Sequence, residues 1–320
     1  MNIQWYPGHM TKAKRAMKED LKLVDLIIEL VDARIPYSSR NPDIDELGQQ
    51  KARLILLNKA DLANEAANTA WITWFQNQGF QAVKVDSRNK GSLKQIQPAV
   101  LEACKEKIER DKRRGIVNRP VRAMVVGIPN VGKSTFINSY AGKACAKTGN
   151  KPGVTKGNQW IRLNKTLELL DTPGILWPRF ESKEVGLHLA LIGSINDEIL
   201  NREELAIELI SFLLKYNPQI LSSRYGEELL NFSCDADFQV FDMESSKLLN
   251  ISERESLTAS ESEYEALAIL EKIAQIRGCL IKGSGYDYKK AANLLLEDYR
   301  SARLGRITLE MPPFEEREGE

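Results

Sequence analysis

The chain has 320 residues and carries 45 lysines and arginines against 44 aspartates and glutamates, a formal net charge of +1. This length predicts two domains, and the near-neutral charge by itself predicts no partner. Neither a signal sequence nor a run of roughly 18 apolar residues is present, so we expect a cytoplasmic protein without a membrane span. The wide spacing of the cysteines excludes a disulfide-rich secreted scaffold and a paired zinc site. They are Cys104, Cys145, Cys234 and Cys279.

A basic helix is the first predicted element, and it spans residues 10–23. Its polar surface carries Lys12, Lys14, Arg15 and Lys18. A short apolar run at 26–31 follows and predicts a buried strand. The strand runs into Asp32-Ala-Arg-Ile-Pro36, where the proline ends regular structure.

The second predicted strand, residues 53–57, delivers the tetrapeptide Asn58-Lys59-Ala60-Asp61 to its carboxyl end. The Asp61 carboxylate can accept from the N1–H and the exocyclic amine of guanine, while Asn58 ties loops together and the Lys59 stem covers the ring face. Adenine has no proton on N1, and a buried carboxylate without donors is costly. These four residues are therefore candidates for contacts to a guanine base. An isolated tetrapeptide of this kind can instead cap a helix.

Helices and strands continue to alternate along the chain. The next predicted elements are a helix at 71–78, a strand at 82–85 and a long amphipathic helix at 97–114. This alternation predicts a parallel α/β sheet. Ser87, in Asp86-Ser-Arg88 after the third strand, is a weaker candidate for a backbone contact to the guanine carbonyl. Residues 113–120 form a basic, turn-rich connector to a new strand at 121–126.

The strand at 121–126 leads into Gly127-Ile-Pro-Asn-Val-Gly-Lys-Ser134, and a helix follows. In this order, backbone N–H groups and the helix amino terminus can hold phosphate oxygens. We expect Lys133 to reach the β- and γ-phosphates of a nucleotide and Ser134 to bind Mg²⁺. The loop residues expected to contact GTP are Asn130, Val131, Gly132, Lys133, Ser134 and Thr135. The alternative is a chance match in a glycine-rich turn.

A third motif, Asp171-Thr-Pro-Gly174, follows a predicted strand at 167–170. The Asp171 carboxylate can hold Mg²⁺ through water, and the Gly174 N–H can bind the γ-phosphate. Thr155 lies between the phosphate loop and this motif, where a second hydroxyl ligand can join the metal when the γ-phosphate is present. A plain structural loop is the alternative for Thr155.

The order of these motifs predicts a circular permutation. Ordinary GTPases carry the phosphate loop on the first strand and the base-binding motif near the end, and here the base-binding motif comes first. We predict an α/β fold: a circularly permuted P-loop GTPase domain, its mostly parallel sheet covered by helices on both faces, followed by a smaller all-α domain. Later helices are predicted at 197–216, 263–277 and 288–304. We assign 1–180 to the GTPase domain, 181–310 to the helical domain with an acidic insertion near 235–262, and 311–320 to a tail.

Further segments resemble signatures of the RbgA/YlqF family of circularly permuted bacterial GTPases. They are Trp5-Tyr-Pro-Gly-His-Met-Thr-Lys-Ala13, Val31-Asp-Ala-Arg-Ile-Pro36 through Asn41-Pro42, and Gly305-Arg-Ile-Thr308. The resemblance covers nearly the whole length and departs mainly at the acidic stretch. It implies GTP hydrolysis to GDP with Mg²⁺ during a late step of large (50S) ribosomal subunit maturation. It also implies GTP-dependent binding of ribosomal RNA or the immature subunit, and a monomer off the ribosome.

The group that should position the attacking water is missing from its usual place. Ras-like GTPases follow the switch glycine with glutamine, whereas this chain has Ile175, so basal hydrolysis should be slow. The resemblance implies that His9 swings in as a catalytic group when the partner binds, and the alternative is that His9 contacts RNA or caps the first helix. Resemblance to potassium-activated GTPases implies that the Asn130 side-chain carbonyl holds K⁺. A plain loop role is the alternative for Asn130.

Basic residues near the carboxyl end interleave with tyrosines, a mixture that suits contacts to RNA phosphates and unpaired bases. With the first helix, they give the candidate RNA contacts Lys12, Lys14, Arg15, Lys282, Lys289, Lys290, Arg300 and Arg303. The residues alone favour a solvated helix face, and the family resemblance reverses that preference. Two other functions stay open: a GTP-gated RNA-binding protein in which hydrolysis is incidental, and a GTPase acting on tRNA modification.

Overall fold

The computed structural model describes residues 10–116, 119–146, 159–172, 182–197, 200–229, 239–242, 247–250, 259–281 and 285–313. The chain divides into two compact units, residues 1–196 with 306–320 and residues 197–305. The division therefore follows Asn196 and the chain returns to the first unit at Arg306, whereas the predicted border was at residue 180. The roles given to the two domains stay a prediction.

A six-stranded sheet with the order β3-β2-β1-β4-β6-β5 forms the centre of the first unit. The strands are β1 (Leu26–Asp32), β2 (Ala52–Asn58), β3 (Gln81–Val85), β4 (Val121–Val126), β5 (Gln159–Arg162) and β6 (Leu167–Asp171). Neighbouring strands are parallel except for β5, which pairs antiparallel to β6 at the edge. Every residue of β1 is buried, as expected for a central parallel strand covered on both faces.

Helices cover this sheet. They are α1 (Met10–Leu21), α2 (Pro42–Leu47), α3 (Glu65–Asn77), α4 (Ile96–Ala103), α5 (Lys105–Arg113), α6 (Lys133–Ala141) and α7 (Lys183–Leu191). One hydrophobic cluster joins Met17 and Leu21 of α1 to Ile27 of β1, and another joins Trp71 and Phe75 of α3 to strand residues. No helix among the described residues is long and apolar enough to cross a membrane.

Helix ends differ from the sequence-based bounds where capping residues decide them. α1 ends at Leu21, two residues before the predicted end. The helix expected at 71–78 begins at Glu65, because the Asn64 side chain caps it by accepting from Ala67 N at 3.1 Å. The long helix expected at 97–114 is two helices, since Cys104 leaves the helical conformation at φ −101 and ψ 11.

The second unit is mainly helical, with two short antiparallel hairpins. Its elements are α8 (Arg202–Tyr216), α9 (Gln219–Tyr225), β7 (Gln239–Asp242), β8 (Lys247–Asn250), α10 (Ala259–Ile276), β9 (Leu280–Ile281), β10 (Gly285–Tyr286) and α11 (Tyr288–Arg300). The predicted start of α8 at residue 197 is five residues early, because Asn201 caps the helix. Asp298 is buried within this unit and accepts from Arg224 Nε at 2.7 Å and from Tyr225 Oη at 3.1 Å.

Candidate nucleotide site

The motifs predicted from the sequence meet at the carboxyl edge of the parallel sheet. β1 ends at Asp32, β2 at Asn58 and β6 at Asp171, and the phosphate loop leaves the end of β4. Open α/β sheets bind ligands at this edge, because the loops that follow parallel strands all emerge there. The topology therefore brings together motifs that lie more than a hundred residues apart in the sequence, Asn58 and Asp171 among them.

Two glycines allow the phosphate loop to take its path between β4 and α6. Gly127 has φ 152, and a Cβ there would lie 2.6 Å from the Leu30 carbonyl oxygen. Gly132 has φ 101, and a Cβ there would lie 2.5 Å from Asn58 Nδ2. Larger residues at either position would collide with a neighbouring strand or its loop. α6 then begins at Lys133 and directs its first backbone N–H groups toward the loop, the arrangement that binds phosphate.

Lys133 is buried within the phosphate loop. Its Nζ donates to the carbonyl oxygens of Gly127 at 2.8 Å and Ile128 at 2.9 Å. Burial lowers the pKa of Lys133 to about 8, and the charge of Asp171 opposes this shift. A bound phosphate would place negative charge beside the Lys133 ammonium group, which burial otherwise destabilises.

Asp171 has the properties of a metal-binding carboxylate. Its Oδ1 is buried and has no hydrogen-bond partner among the described residues. Burial raises the pKa of Asp171, and the Lys133 charge lowers it in part. Ser134 lies in the first turn of α6 and is half-buried. Carboxylate and hydroxyl oxygens are ligands that Mg²⁺ accepts, so the residues present fit that ion.

Asn58 joins three loops at this edge. Its Nδ2 donates to the Val131 carbonyl oxygen at 2.7 Å, and its Oδ1 accepts from Ser87 N at 3.2 Å and Ser87 Oγ at 2.7 Å. The base-binding motif is thus fixed to the phosphate loop and to the loop after β3. The Ser87 N–H already serves Asn58, so the predicted backbone contact to the guanine carbonyl would require that bond to open.

Lys59 connects the base-binding motif to the phosphate loop a second time. Its Nζ donates to the Asn130 carbonyl oxygen at 2.8 Å and lies 3.0 Å from Asp32 Oδ2. Lys59 and Asn130 both have φ 58, a left-handed conformation that is costly for residues other than glycine. Such conformations concentrate at binding and catalytic sites.

Asp61 offers one satisfied and one unsatisfied carboxylate oxygen. Its Oδ2 accepts from Arg88 Nη2 at 2.6 Å, whereas its Oδ1 is buried without a hydrogen-bond partner among the described residues. A buried acceptor without a donor is costly, and the two donors of guanine would suit this carboxylate. Arg88 was not predicted as a site residue, although it directly follows Ser87 in the sequence.

Asn130 has a partner that the sequence did not reveal. Its Nδ2 donates to the Gly193 carbonyl oxygen at 2.8 Å, and next to it Ser194 Oγ donates to the Pro129 carbonyl oxygen at 2.9 Å. The Gly193 bond fixes the orientation of the amide and uses its nitrogen. The Asn130 side-chain oxygen takes no part in this bond, and it is the atom that would bind a cation.

The remaining predicted site residues divide into three groups. Val131 is buried, whereas Ala60 and Thr135 are half-buried beside the loops just described. Arg15, Lys289 and Lys290 are exposed, while Arg300 pairs with Asp197 at 2.8 Å and Arg303 with Asp298 at 2.6 Å. Outside the described residues lie His9, Thr155, Gly174, Ile175 and Lys282, together with the side chains of Lys12 and Lys14.

Comparisons with known proteins show which family the chain resembles. The family described as 50S ribosome-binding GTPase matches residues 122–232. The sequence is 42% identical to Ribosome biogenesis GTPase A of Bacillus cereus, over 98% of this chain and 95% of that protein. It is 43% identical to the protein of the same name from Bacillus licheniformis, over 98% of this chain and 99% of that protein. Among solved structures, the GNP-bound YlqF from T. maritima matches with a TM-score of 0.58 and 26% identity, over 94% of this chain and 99% of that chain. The predicted fold class is confirmed.

Proposed function

Because the chain belongs to the ribosome biogenesis GTPase A family, we propose that it acts at a late step of large (50S) ribosomal subunit maturation and binds ribosomal RNA or the immature subunit in a GTP-dependent manner. Membership carries GTP hydrolysis to GDP and phosphate, and a role in ribosome assembly. The large subunit is the partner that the description of the matching family names. We place this activity in the cytoplasm and expect a monomer off the ribosome.

One observation supports the nucleotide assignment above the others. Asn58 and Lys59 reach the carbonyl oxygens of Val131 and Asn130, so the base-binding motif and the phosphate loop form one connected site. A single nucleotide can then span both loops. Asp61 would read the guanine base, and the start of α6 with Lys133 would hold the phosphates.

The family implies a divalent cation, and we propose Mg²⁺ at Ser134 and Thr155, with Asp171 binding it through water. The ion would neutralise charge that develops on the phosphate oxygens. The protein contributes the buried Asp171 carboxylate, whose Oδ1 otherwise lacks a donor among the described residues. Gly174 would complete the site by donating its N–H to the γ-phosphate.

We propose further that catalysis depends on the ribosomal partner. The Ile175 side chain can form no hydrogen bond to an attacking water, so intrinsic turnover should be on the order of 10⁻² per second or less. His9 is the candidate for the missing group. K⁺ bound by the Asn130 side-chain carbonyl would add positive charge beside the phosphates, and replacing K⁺ with Na⁺ should then slow hydrolysis.

The exposed lysines of α11, Lys289 and Lys290, are the described candidates for RNA phosphates in the second unit. Arg300 and Arg303 form ion pairs within that unit. Both arginines therefore have a structural role first. A contact to RNA would use the guanidinium N–H groups that these ion pairs leave unused. Arg15, exposed on α1, is the described candidate of the first helix.

Single-turnover hydrolysis with and without large ribosomal subunits tests this function. We expect a strong increase with the subunit, and His9→Ala should remove much of it while nucleotide binding stays nearly intact. Full stimulated turnover in His9→Ala would exclude a catalytic His9. A subunit that binds the GTP form without changing the rate would favour the second candidate, a GTP-gated RNA-binding protein, which the apolar Ile175 also suits.

A further inference from the structure

Asp32 lies at the centre of the nucleotide site, and the assigned functions do not include it. It ends β1, which pairs with β2 on one side and β4 on the other. These neighbours carry the base-binding motif and the phosphate loop, so Asp32 stands between the two. It is completely buried. Asp32 also belongs to the segment 31–36, which the family resemblance singled out without a role.

The Asp32 carboxylate pairs with two positively charged side chains, Arg34 and Lys59. Arg34 Nε donates to Oδ1 and Arg34 Nη2 donates to Oδ2, both at 2.8 Å, and the Arg34 backbone N–H adds a bond of 3.1 Å to Oδ1. Lys59 Nζ lies 3.0 Å from Oδ2. Burial raises the pKa of Asp32, but the charges of Arg34 and Lys59 outweigh it and hold the pKa below its ordinary value. The carboxylate is therefore charged.

Arg34 and Lys59 depend on Asp32 in different ways. Arg34 is as buried as Asp32 and compensates its charge permanently. The Lys59 side chain keeps a quarter of its surface exposed, and a lysine stem has many rotamers to lose. Asp32 and the Asn130 carbonyl oxygen both hold its ammonium group, and of these two Asp32 carries the charge.

We propose that Asp32 is a positioning residue for guanine-nucleotide binding: it fixes the Lys59 ammonium against the phosphate loop, so that the Lys59 stem lies where the guanine ring packs. The inference rests on the proposed assignment of Lys59 to the base. Fixing the stem before binding removes the entropy cost of ordering it, and this cost would otherwise reduce affinity. Asp32 thereby couples the base-binding motif to the phosphate loop without touching the nucleotide.

Glu29 offers a matched control on the same strand. It is also buried and also pairs with arginines, Arg53 and Arg40. Glu29 Oε1 also accepts a hydrogen bond from Asn41 N at 3.4 Å. These partners lie outside both nucleotide motifs. Loss of the Glu29 charge should therefore disturb the fold in a similar way while leaving Lys59 in place.

Equilibrium binding of GDP to the full chain tests the proposal. We expect Asp32→Asn to weaken GDP binding about tenfold, the size of one lost charged contact. Glu29→Gln should change it by less than about twofold. Lys59→Met keeps an apolar stem but removes the ammonium group, and it should weaken binding to a similar extent as Asp32→Asn. The double variant Asp32→Asn/Lys59→Met should bind no worse than Lys59→Met alone, because Asp32 acts through Lys59.

A second variant covers the case in which Asp32→Asn fails to fold, since it leaves Arg34 as a buried unpaired charge. Asp32→Asn/Arg34→Gln removes both charges together and should show the same loss of affinity. Additive losses in the double variant with Lys59→Met, or wild-type affinity in Asp32→Asn/Arg34→Gln, would overturn the positioning role. Unchanged affinity in Lys59→Met would overturn it too, because that variant keeps the stem and loses only the fixed ammonium group. Unchanged affinity in Lys59→Ala, which also removes the stem, would instead overturn the assignment of Lys59 to the base, on which the inference rests.

Discussion

Asp61 is the residue on which we propose that base selection depends. Its Oδ1 is buried without a donor among the described residues, and its Oδ2 is held by a single arginine, Arg88. The Arg88 side chain is two-thirds exposed, so water competes for this pair and its contribution is small. A guanine base would replace Arg88 with two donors in a bidentate arrangement, which is the stronger geometry.

Asp61→Asn should therefore change the base that the site prefers. The amide can accept from N1–H and donate to the 2-oxo group of xanthine, so xanthosine triphosphate should bind, and GTP affinity should fall roughly hundred-fold or more. Competition binding with both nucleotides measures this exchange. Asp86→Asn is the control, because Asp86 accepts from Arg88 N in the neighbouring loop and should not alter the preference. Equal GTP affinity in Asp61→Asn would refute the assignment.

Lys133 predicts a pH dependence of stability. Its pKa is about 8 in the folded chain against an ordinary value of 10.5. Between these values the unfolded chain binds the additional proton, so the free energy of unfolding should rise with pH in that window. The rise attributable to one group is about 1 kcal/mol per pH unit. Urea denaturation of the nucleotide-free chain and of Lys133→Met, compared from pH 7 to pH 10, isolates this contribution. The same slope in both proteins would contradict a buried, destabilised ammonium group.

The structure brings the described residues of the predicted motifs to one edge of the sheet, because each motif follows a strand and the strand places it. Their binding roles stay predictions. Arg88 and Ser194 were not predicted. Their contacts join residues 27 and 65 positions apart, and no local pattern encodes such a pair. The role that we propose for Asp32 was also hidden, since it depends on the position of β1 between β2 and β4.

The segment that follows Arg306 belongs to the first unit rather than to the second. It returns to the first unit, where Leu309 N donates to the Arg34 carbonyl oxygen at 2.8 Å and Trp71 Nε1 donates to the Glu310 carbonyl oxygen at 3.0 Å. The Glu310 carboxylate accepts from Ser38 N at 2.9 Å and Ser38 Oγ at 2.6 Å. These bonds fasten the segment beside the loop that contains Arg34.

Glu310→Gln should destabilise the protein by about 1–3 kcal/mol, because it weakens several charge-assisted hydrogen bonds in a partly buried place. The free energy of unfolding from urea denaturation measures the effect. Glu102→Gln alters a glutamate that is more than half exposed, and it should stay within about 0.5 kcal/mol of the wild type. Equal stability of the two variants would show that the segment is not held by this carboxylate.

Among the elements, the parallel strands were predicted well, including β3 at one edge of the sheet, whereas the antiparallel edge strand β5 was not. β1, β2 and β4 are apolar runs bounded by polar residues, and such runs are informative. β5 was missed because only Ile161 of its four residues is buried, so it shows no clear period. The N-cap residues Asn64 and Asn201 could have corrected two helix starts, since asparagine is among the preferred capping residues.

The formal net charge of the whole molecule is only +1, so it gives no indication of the basic residues that the proposed RNA contacts require. Binding through RNA phosphates weakens steeply as salt concentration rises. Lys289→Glu/Lys290→Glu should therefore reduce binding to the large subunit and flatten its salt dependence, since both side chains are exposed. Lys94→Glu/Lys105→Glu, at two exposed positions of the first unit, is the charge-matched control. Equal losses from both pairs would indicate a nonspecific effect of net charge.

Co-sedimentation with large ribosomal subunits, repeated in two nucleotide states, tests most directly whether the protein is a GTP-dependent assembly factor. The intact protein is sedimented with purified immature and mature large subunits in the presence of GDP or a nonhydrolysable GTP analogue. A ligand shifts an equilibrium only through its different affinity for the two states, and linkage requires the subunit to tighten GTP binding in return. We predict tighter binding with the GTP analogue than with GDP. Equal binding in both nucleotide states, or no binding to either subunit, would contradict the account.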